Sequence, residues 1–200
     1  MKIILIRHFA TKGNLEKRYI GRTDESLWMG EKEREQARRL RRKCQEVSRV
    51  IVSPLRRCVE TASLIYPKQQ PYIRCSQLKE CDFGLFEGKN YEDLKINPEY
   101  IRWLKSRGTL PFPEGEGHEA FKERCQIGFD KVVLELIREK QECAAMVVHG
   151  GTIMSILSGY DRRKREFYSW QLKNSEAYLV SLDDKEWVQG KKYFEEIEKI

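Results

Sequence analysis

Residues 1–14 read MKIILIRHFATKGN, and the change of character at Arg7-His8 decides the fold. Lys2–Ile6 is a short, mostly β-branched run without polar alternation, the pattern of a strand buried on both faces. It breaks off into a cation, an imidazole and a polar loop. The same character returns at Arg49–Val52, which runs into the segment Ser53 to Arg57, and at Ala144–Val148, which runs into His149-Gly150-Gly151.

Each of these runs is followed by a helical pattern. After the second, Ser53-Pro54 offers an N-cap with proline at the first helical position, and Leu55, Val59, Ala62 and Ile65 would form the inner face. Periodicity predicts further helices over roughly Glu31–Cys44, Ile101–Ser106 and Glu119–Lys140. Tyr178–Leu182 and Trp187–Phe194 read as returning strands separated by the turn formers Asp183-Asp184. Strands alternating with helices predict an α/β fold, a three-layer α/β/α sandwich around a mostly parallel sheet. In such sheets ligands bind beyond the carboxyl ends of the strands. Two histidines and two arginines are expected to converge there.

Two hundred residues with 40% hydrophobic content suffice for one sizeable core, and no Pro/Gly/Ser-rich linker divides them, so one domain over 1–200 is expected. No apolar stretch approaches the roughly 18–20 residues of a membrane span, and the start lacks a cleavable leader. A cytoplasmic protein without a membrane partner is the expectation. The six cysteines, Cys44, Cys58, Cys75, Cys81, Cys125 and Cys143, form no C-x-x-C pair and are expected to be reduced. A net charge of +7 fits a nucleic acid or a small anion equally well. Much of it lies in Arg38, Arg39, Arg41, Arg42 and Lys43 and in Arg162–Arg165, where helical spacing predicts solvated faces. No zinc-ligand spacing or nucleic-acid motif accompanies them, so a small anionic ligand is expected and a nucleic acid is not.

A guanidinium beside an imidazole disfavours its protonation, so Arg7 would keep His8 neutral and nucleophilic. Arginine also binds phosphate oxygens bidentately. Gly150-Gly151 after His149 would let backbone N–H groups approach an anion at the start of a helix. Taken singly, each histidine could equally be a packed or turn residue. Together they point to anion chemistry.

The run Arg7-His8-Phe9-Ala10-Thr11 with Asn14 resembles the Arg-His-Gly-x-Thr-x-x-Asn signature of the histidine phosphatase (phosphoglycerate mutase-like) superfamily. In order, Gly21, Asp24 and Leu27 follow; then Ser53-Pro54-Leu55 with Arg57, Thr61 and Ala62; then Leu78-Lys79-Glu80 with Phe83-Gly84 and Glu87-Gly88. Gly115-Glu116 with Phe121 and Arg124, and finally His149-Gly150-Gly151, complete the series. The resemblance implies that His8 attacks phosphorus in line while Arg7, Arg57 and His149 hold the equatorial oxygens. It assigns Glu80 as the proton donor, a choice the residues alone would not make over Asp82 or Glu87. Thr11, Asn14, Gly21 and Gly150 would be substrate contacts, and neither a metal nor a cofactor is implied. A small helical cap would be inserted at about residues 79–124.

That compact insertion favours water as the acceptor, hence hydrolysis of small phosphate monoesters. The segment from Tyr91 to Trp103, with Phe83-Gly84 and Gly115–Phe121, resembles the α-ribazole-5′-phosphate phosphatases of cobalamin assembly. A phosphoglycerate mutase-like transferase and a non-catalytic binder of phosphate ligands are the alternatives, and a monomer or homodimer is expected. Phe9 replaces the family glycine and would either wall the pocket or pack into the core. Phe86 replaces the usual Trp, and the pattern around Trp28-Met29-Gly30 fits only with an insertion before Gln36-Ala37. His118 would face either the substrate or solvent. Trp103, Phe112, Tyr91 and Phe86 would either stack a base or form core.

Overall fold

The three runs form adjacent strands of one sheet. The computed structural model describes residues 1–200 apart from Gln45 and Arg107. β1 (Lys2–Arg7) leads through a one-turn helix α1 (Lys12–Leu15) to α2 (Glu31–Lys43), β2 (Arg49–Val52), α3 (Arg56–Ile65) and the two-residue β3 (Ile73–Arg74). The insertion carries α4 (Tyr91–Leu94) and α5 (Pro98–Lys105). α6 (His118–Arg138), β4 (Cys143–Val148), α7 (Gly150–Tyr160), β5 (Ala177–Ser181), α8 (Asp184–Val188) and β6 (Glu196–Lys199) complete the chain.

The sheet order is β3-β2-β4-β1-β5-β6. The pairs β3–β2, β2–β4 and β4–β1 are parallel, whereas β5 runs antiparallel to both β1 and β6. Alternation along the central strands divides the core into two layers. Ile3, Leu5, Met146 and Val148 pack against Phe129 and Val133 of α6 and Ile153 and Ile156 of α7. Ile4, Ile6, Val50, Val52 and Val147 pack on the other face against Ala37 and Leu40 of α2 and Cys58, Ala62 and Ile65 of α3. Each fully buried aliphatic side chain contributes about 1.5–3 kcal/mol, which is why these strands need apolar residues at every position. The inner face of α3 thus runs through Cys58 as well, with Val59 half-buried against the same layer.

The α/β/α reading with a mostly parallel sheet holds. One expected strand does not. Trp187–Phe194 is not a strand, because Asp183 acts as a helix cap: its carboxylate accepts the Glu186 backbone N–H at 2.9 Å and starts α8. Trp187 is buried from that helix, with its indole N–H donated to Asp130 at 2.8 Å, and the strand forms later at Glu196. α5 begins three residues before the expected Ile101, because Asn97 caps the N–H groups of Glu99 and Tyr100 and Pro98 occupies the first turn.

The cap is centred on buried Phe86, Leu94 and Tyr100, flanked by Tyr19, Phe83, Trp103 and Phe112. Phe86 is therefore core, and Tyr91 lies at the surface, 58% exposed. Arg38 and Arg39 of the basic run pair with Glu35 on an exposed face of α2. Among the described residues, no helix is long and apolar enough to cross a membrane.

Candidate active site

β4 lies between β1 and β2, so the chain leaves all three strands at one edge. Register sets Arg7 beside Val148 and Val52 beside Val147. The residues that follow, His8, His149 and Ser53, are consequently neighbours. The two imidazoles meet edge to face, with ring centroids 5.2 Å apart.

The histidines hold opposite tautomers. His8 Nδ1 lies 2.6 Å from the Phe9 carbonyl oxygen, which can only accept, so Nδ1 carries the proton and Nε2 keeps the lone pair. His149 Nδ1 accepts from Arg57 Nε at 3.3 Å, which places its proton on Nε2, facing Ser53 Oγ at 2.8 Å. Burial, followed by the charges of Arg57 and Arg7, pushes the His8 pKa well below the ordinary imidazole value. His149 is lowered by burial first, then by Arg57. Both rings are neutral at pH 7.

Arg57 is fully buried at the start of α3. Its two terminal nitrogens donate to the carbonyls of Thr23 at 2.7 Å and Gly21 at 2.8 Å. Arg7 donates from Nη1 to the Leu172 carbonyl, while its buried Nε has no acceptor. An unpartnered guanidinium N–H beside His8 is a donor suited to an anion's oxygen. The Arg7 guanidinium lies within 3.2–3.3 Å of where a Gly150 side chain would begin, so glycine is what admits it.

Glu80 is held against the start of α7. One carboxylate oxygen accepts the Gly151 N–H and the other the Cys81 N–H, both at 3.0 Å. Burial raises its pKa, against the lowering effect of these two N–H groups and of Arg7 and Arg57. A carboxyl whose pKa is raised toward neutral pH, beside a cluster of cations, is suited to delivering a proton. A Cβ on Gly151 would lie 2.4 Å from that carboxylate, so the second glycine serves Glu80 directly.

Arg7, His8, Arg57, Glu80, His149 and Gly150 therefore come together as expected from the sequence. Thr11 and Asn14 lie next to them in a reciprocal capping box, with Asn14 Oδ1 also accepting from Asn174, whose amide reaches the His8 carbonyl at 3.1 Å. Gly21 is buried and serves through its carbonyl, which accepts from Arg57. Its N–H goes to Glu87 at 2.8 Å, and a Cβ there would fall 1.9 Å from the Cys81 carbonyl oxygen. Phe9 is fully buried in the α2–α3 layer, with its N–H on Thr61 Oγ1 at 3.0 Å, so its ring packs as core and leaves the pocket wall to others.

Ser53 is a correction. It does not cap α3, which starts at Arg56, where the Asp24 carboxylate accepts the backbone N–H at 2.7 Å. Instead it orients His149. Its position directly after β2, matching that of His8 after β1, was the signal available. Asn174, brought in by the loop before β5, had none.

Beyond Glu80 and Gly151 opens a cavity of about 280 Å³ lined by rings from the cap, from α6 and from Phe167 and Tyr168. Larger hollows elsewhere on the surface contain none of these groups.

Residues 3–192 match the histidine phosphatase superfamily, branch 1. The chain is 29% identical over 171 residues to phosphoglycerate mutase-like protein 4 of Arabidopsis thaliana, covering 82% of this chain and 71% of that one. It is 27% identical over 198 residues to phosphoserine phosphatase 1 of Hydrogenobacter thermophilus, covering 92% and 88%. Among solved structures, the α-ribazole phosphatase of Shigella flexneri shares the fold with a TM-score of 0.79 at 21% identity, covering 92% of each chain. With the match spanning nearly its whole length, this chain belongs to the histidine phosphatase superfamily, branch 1.

Proposed function

We propose that this protein hydrolyses small-molecule phosphate monoesters through a phosphohistidine on His8 Nε2, without a metal. The observation that carries this reading is the His8 tautomer: the Phe9 carbonyl fixes the proton on Nδ1, and burial with two arginines keeps Nε2 unprotonated. In the first step the Nε2 lone pair forms the N–P bond as the ester P–O bond breaks, and Glu80 delivers its proton to the leaving alkoxide. In the second, Glu80 takes a proton from water, whose oxygen displaces His8 from phosphorus. Arg7 Nε, the remaining Arg57 Nη1–H and His149 Nε2–H, redirected from Ser53, would offset charge on the equatorial oxygens. Preorganised donors of this kind dominate phosphoryl transfer.

Within this class α-ribazole-5′-phosphate is a candidate substrate, supported by the resemblance of the cap segment to those phosphatases. A small ester rather than a nucleic acid is the partner we propose, and Arg38, Arg39 and Arg42 of the basic run on α2 are paired with Glu35.

The test is to trap the protein during turnover of a phosphate ester with EDTA present. Acid-labile, base-stable phosphate on the wild type, and its loss with at least about a 10³-fold fall in kcat for His8→Ala, is the expected result. Full activity of His8→Ala would sink the reading. Transfer to a phosphoglycerate acceptor with little phosphate release would instead make the protein a mutase. Activity should also be bell-shaped in pH, falling on the acid side as His8 is protonated and on the alkaline side as Glu80 loses its proton.

A further inference from the structure

We propose that the cavity beside Glu80 selects esters whose alcohol carries a flat, uncharged aromatic ring system, with Trp103, His118 and Tyr168 as specificity-determining residues. This rests on the phosphatase reading and adds the substrate class to it.

Three separate parts of the chain supply the walls. Phe83, Trp103 and Phe112 come from the cap, Phe121 from α6, and Phe167 and Tyr168 from the short turn before β5. Among the described residues, no lysine or arginine lines the space, and Glu80 is the one acidic lining group. A carboxylate entering it would be stripped of water beside another carboxyl with no cation among the described lining residues, a costly transfer. A neutral ring meets the opposite conditions, since apolar and aromatic surfaces gain by being covered and by stacking. The cavity of about 280 Å³ is at the small end of ligand pockets, roughly 300–1,000 Å³, and suits one compact ring system.

The lining is held in place by contacts within the protein. Trp103 donates its indole N–H to the Leu110 carbonyl at 3.1 Å and stacks on Phe112 with centroids 4.9 Å apart. His118 lies edge-on to Phe167 at 4.6 Å, and burial together with Lys122 lowers its pKa, so a neutral imidazole is available to a heteroaromatic nitrogen. Tyr168 reaches from the sheet side to the cap, its hydroxyl 3.0 Å from where a Gly108 side chain would begin. It closes the cavity between the two parts.

The test uses esters with the same 5′-hydroxyl leaving group: α-ribazole-5′-phosphate and adenosine 5′-monophosphate against ribose 5-phosphate, with phosphoserine as the charged comparison. Wild-type kcat/KM should favour the ring-bearing esters by at least roughly tenfold, in line with the worth of one stacking contact. Tyr168→Ala and Trp103→Leu should each lose most of that preference while changing ribose 5-phosphate turnover less than about twofold. In parallel, α-ribazole itself should quench tryptophan fluorescence of the His8→Ala protein, and ribose or serine should not.

Equal turnover of ribose 5-phosphate, phosphoserine and the nucleotide esters would overturn the selection while leaving the phosphatase intact. Binding of α-ribazole, weakened by Tyr168→Ala, in a protein that hydrolyses no ester would uphold the cavity and remove the phosphatase reading. Absence of α-ribazole binding would overturn the cavity whatever the activity.

Discussion

The two ends of the pocket are built by opposite physics. At the sheet end, charge is concentrated where the strands stop: Arg7, Arg57, two neutral histidines and a carboxyl are held by backbone carbonyls and N–H groups. At the cavity end, almost every contact is ring on ring, and the groups come from the insertion and a turn. The first end is suited to recognising something common to every phosphate ester. The second is suited to recognising what differs between them. Separating the two should be possible by mutation, because the first is anchored in the central strands and the second in satellite aromatic clusters.

The largest expected effect breaks the comparison where the two ends meet. Glu80 touches both, so Glu80→Gln should lower kcat by about 10²–10⁴ for alkyl esters. The loss should shrink markedly for a p-nitrophenyl ester, whose leaving group needs no proton. A uniform loss across both leaving groups, read in steady-state assays, would show that Glu80 only shapes the site.

Next in size is a change that removes the cap's centre. Phe86 is 1% exposed among Tyr19, Tyr100, Trp103 and Phe112. Phe86→Ala should cost about 3–5 kcal/mol of cap packing. If the ends are independent, hydrogen exchange will report loosening confined to the cap, and ribose 5-phosphate turnover will survive better than that of aromatic esters. Collapse of both activities together would show that the sheet end depends on the cap.

The smallest effect sharpens the electrostatic side. His8 and His149 are neutral in the folded protein and would be protonated below about pH 6.5 when unfolded. The unfolded chain then binds more protons, so stability falls as pH drops below that value. Each histidine contributes a slope of about 1.4 kcal/mol per pH unit until it is protonated in the fold. Glu80, raised by burial, has the opposite sign: its contribution is present at acid pH and lost as pH rises through its folded value. Urea unfolding at several pH values checks this, and His149→Gln should flatten the acid slope.

How much of this was legible in the sequence follows the same division. β1, β2 and β4 were readable because strands buried on both faces must be apolar throughout, and the residues after them stood out against that background. Glu80 was not readable from composition or spacing, since a carboxyl acquires its role only when Gly151 and Cys81 present N–H groups to it. Family likeness supplied that residue. Trp187–Phe194 misled because buried aromatics at such spacing fit a strand as well as a capped turn of helix, and only the Asp183 contact decides. Phe167 and Tyr168 carried no signal, because they meet the cap through the fold alone.

The position of β4 has a consequence for how the protein is made. Lys2 of β1 pairs with Cys143, and Arg49 of β2 pairs with Ala144, so the central strand of the site emerges long after its neighbours. Contacts this distant in sequence slow folding and leave the earlier strands with open edges until the late one arrives. During synthesis, β1 must wait for more than half the chain and β2 for nearly half, and His8 has no His149 beside it until then. Catalytic competence should therefore appear as one of the last events of folding, in step with closure of the sheet, and the nascent chain should engage holding chaperones before it engages phosphate.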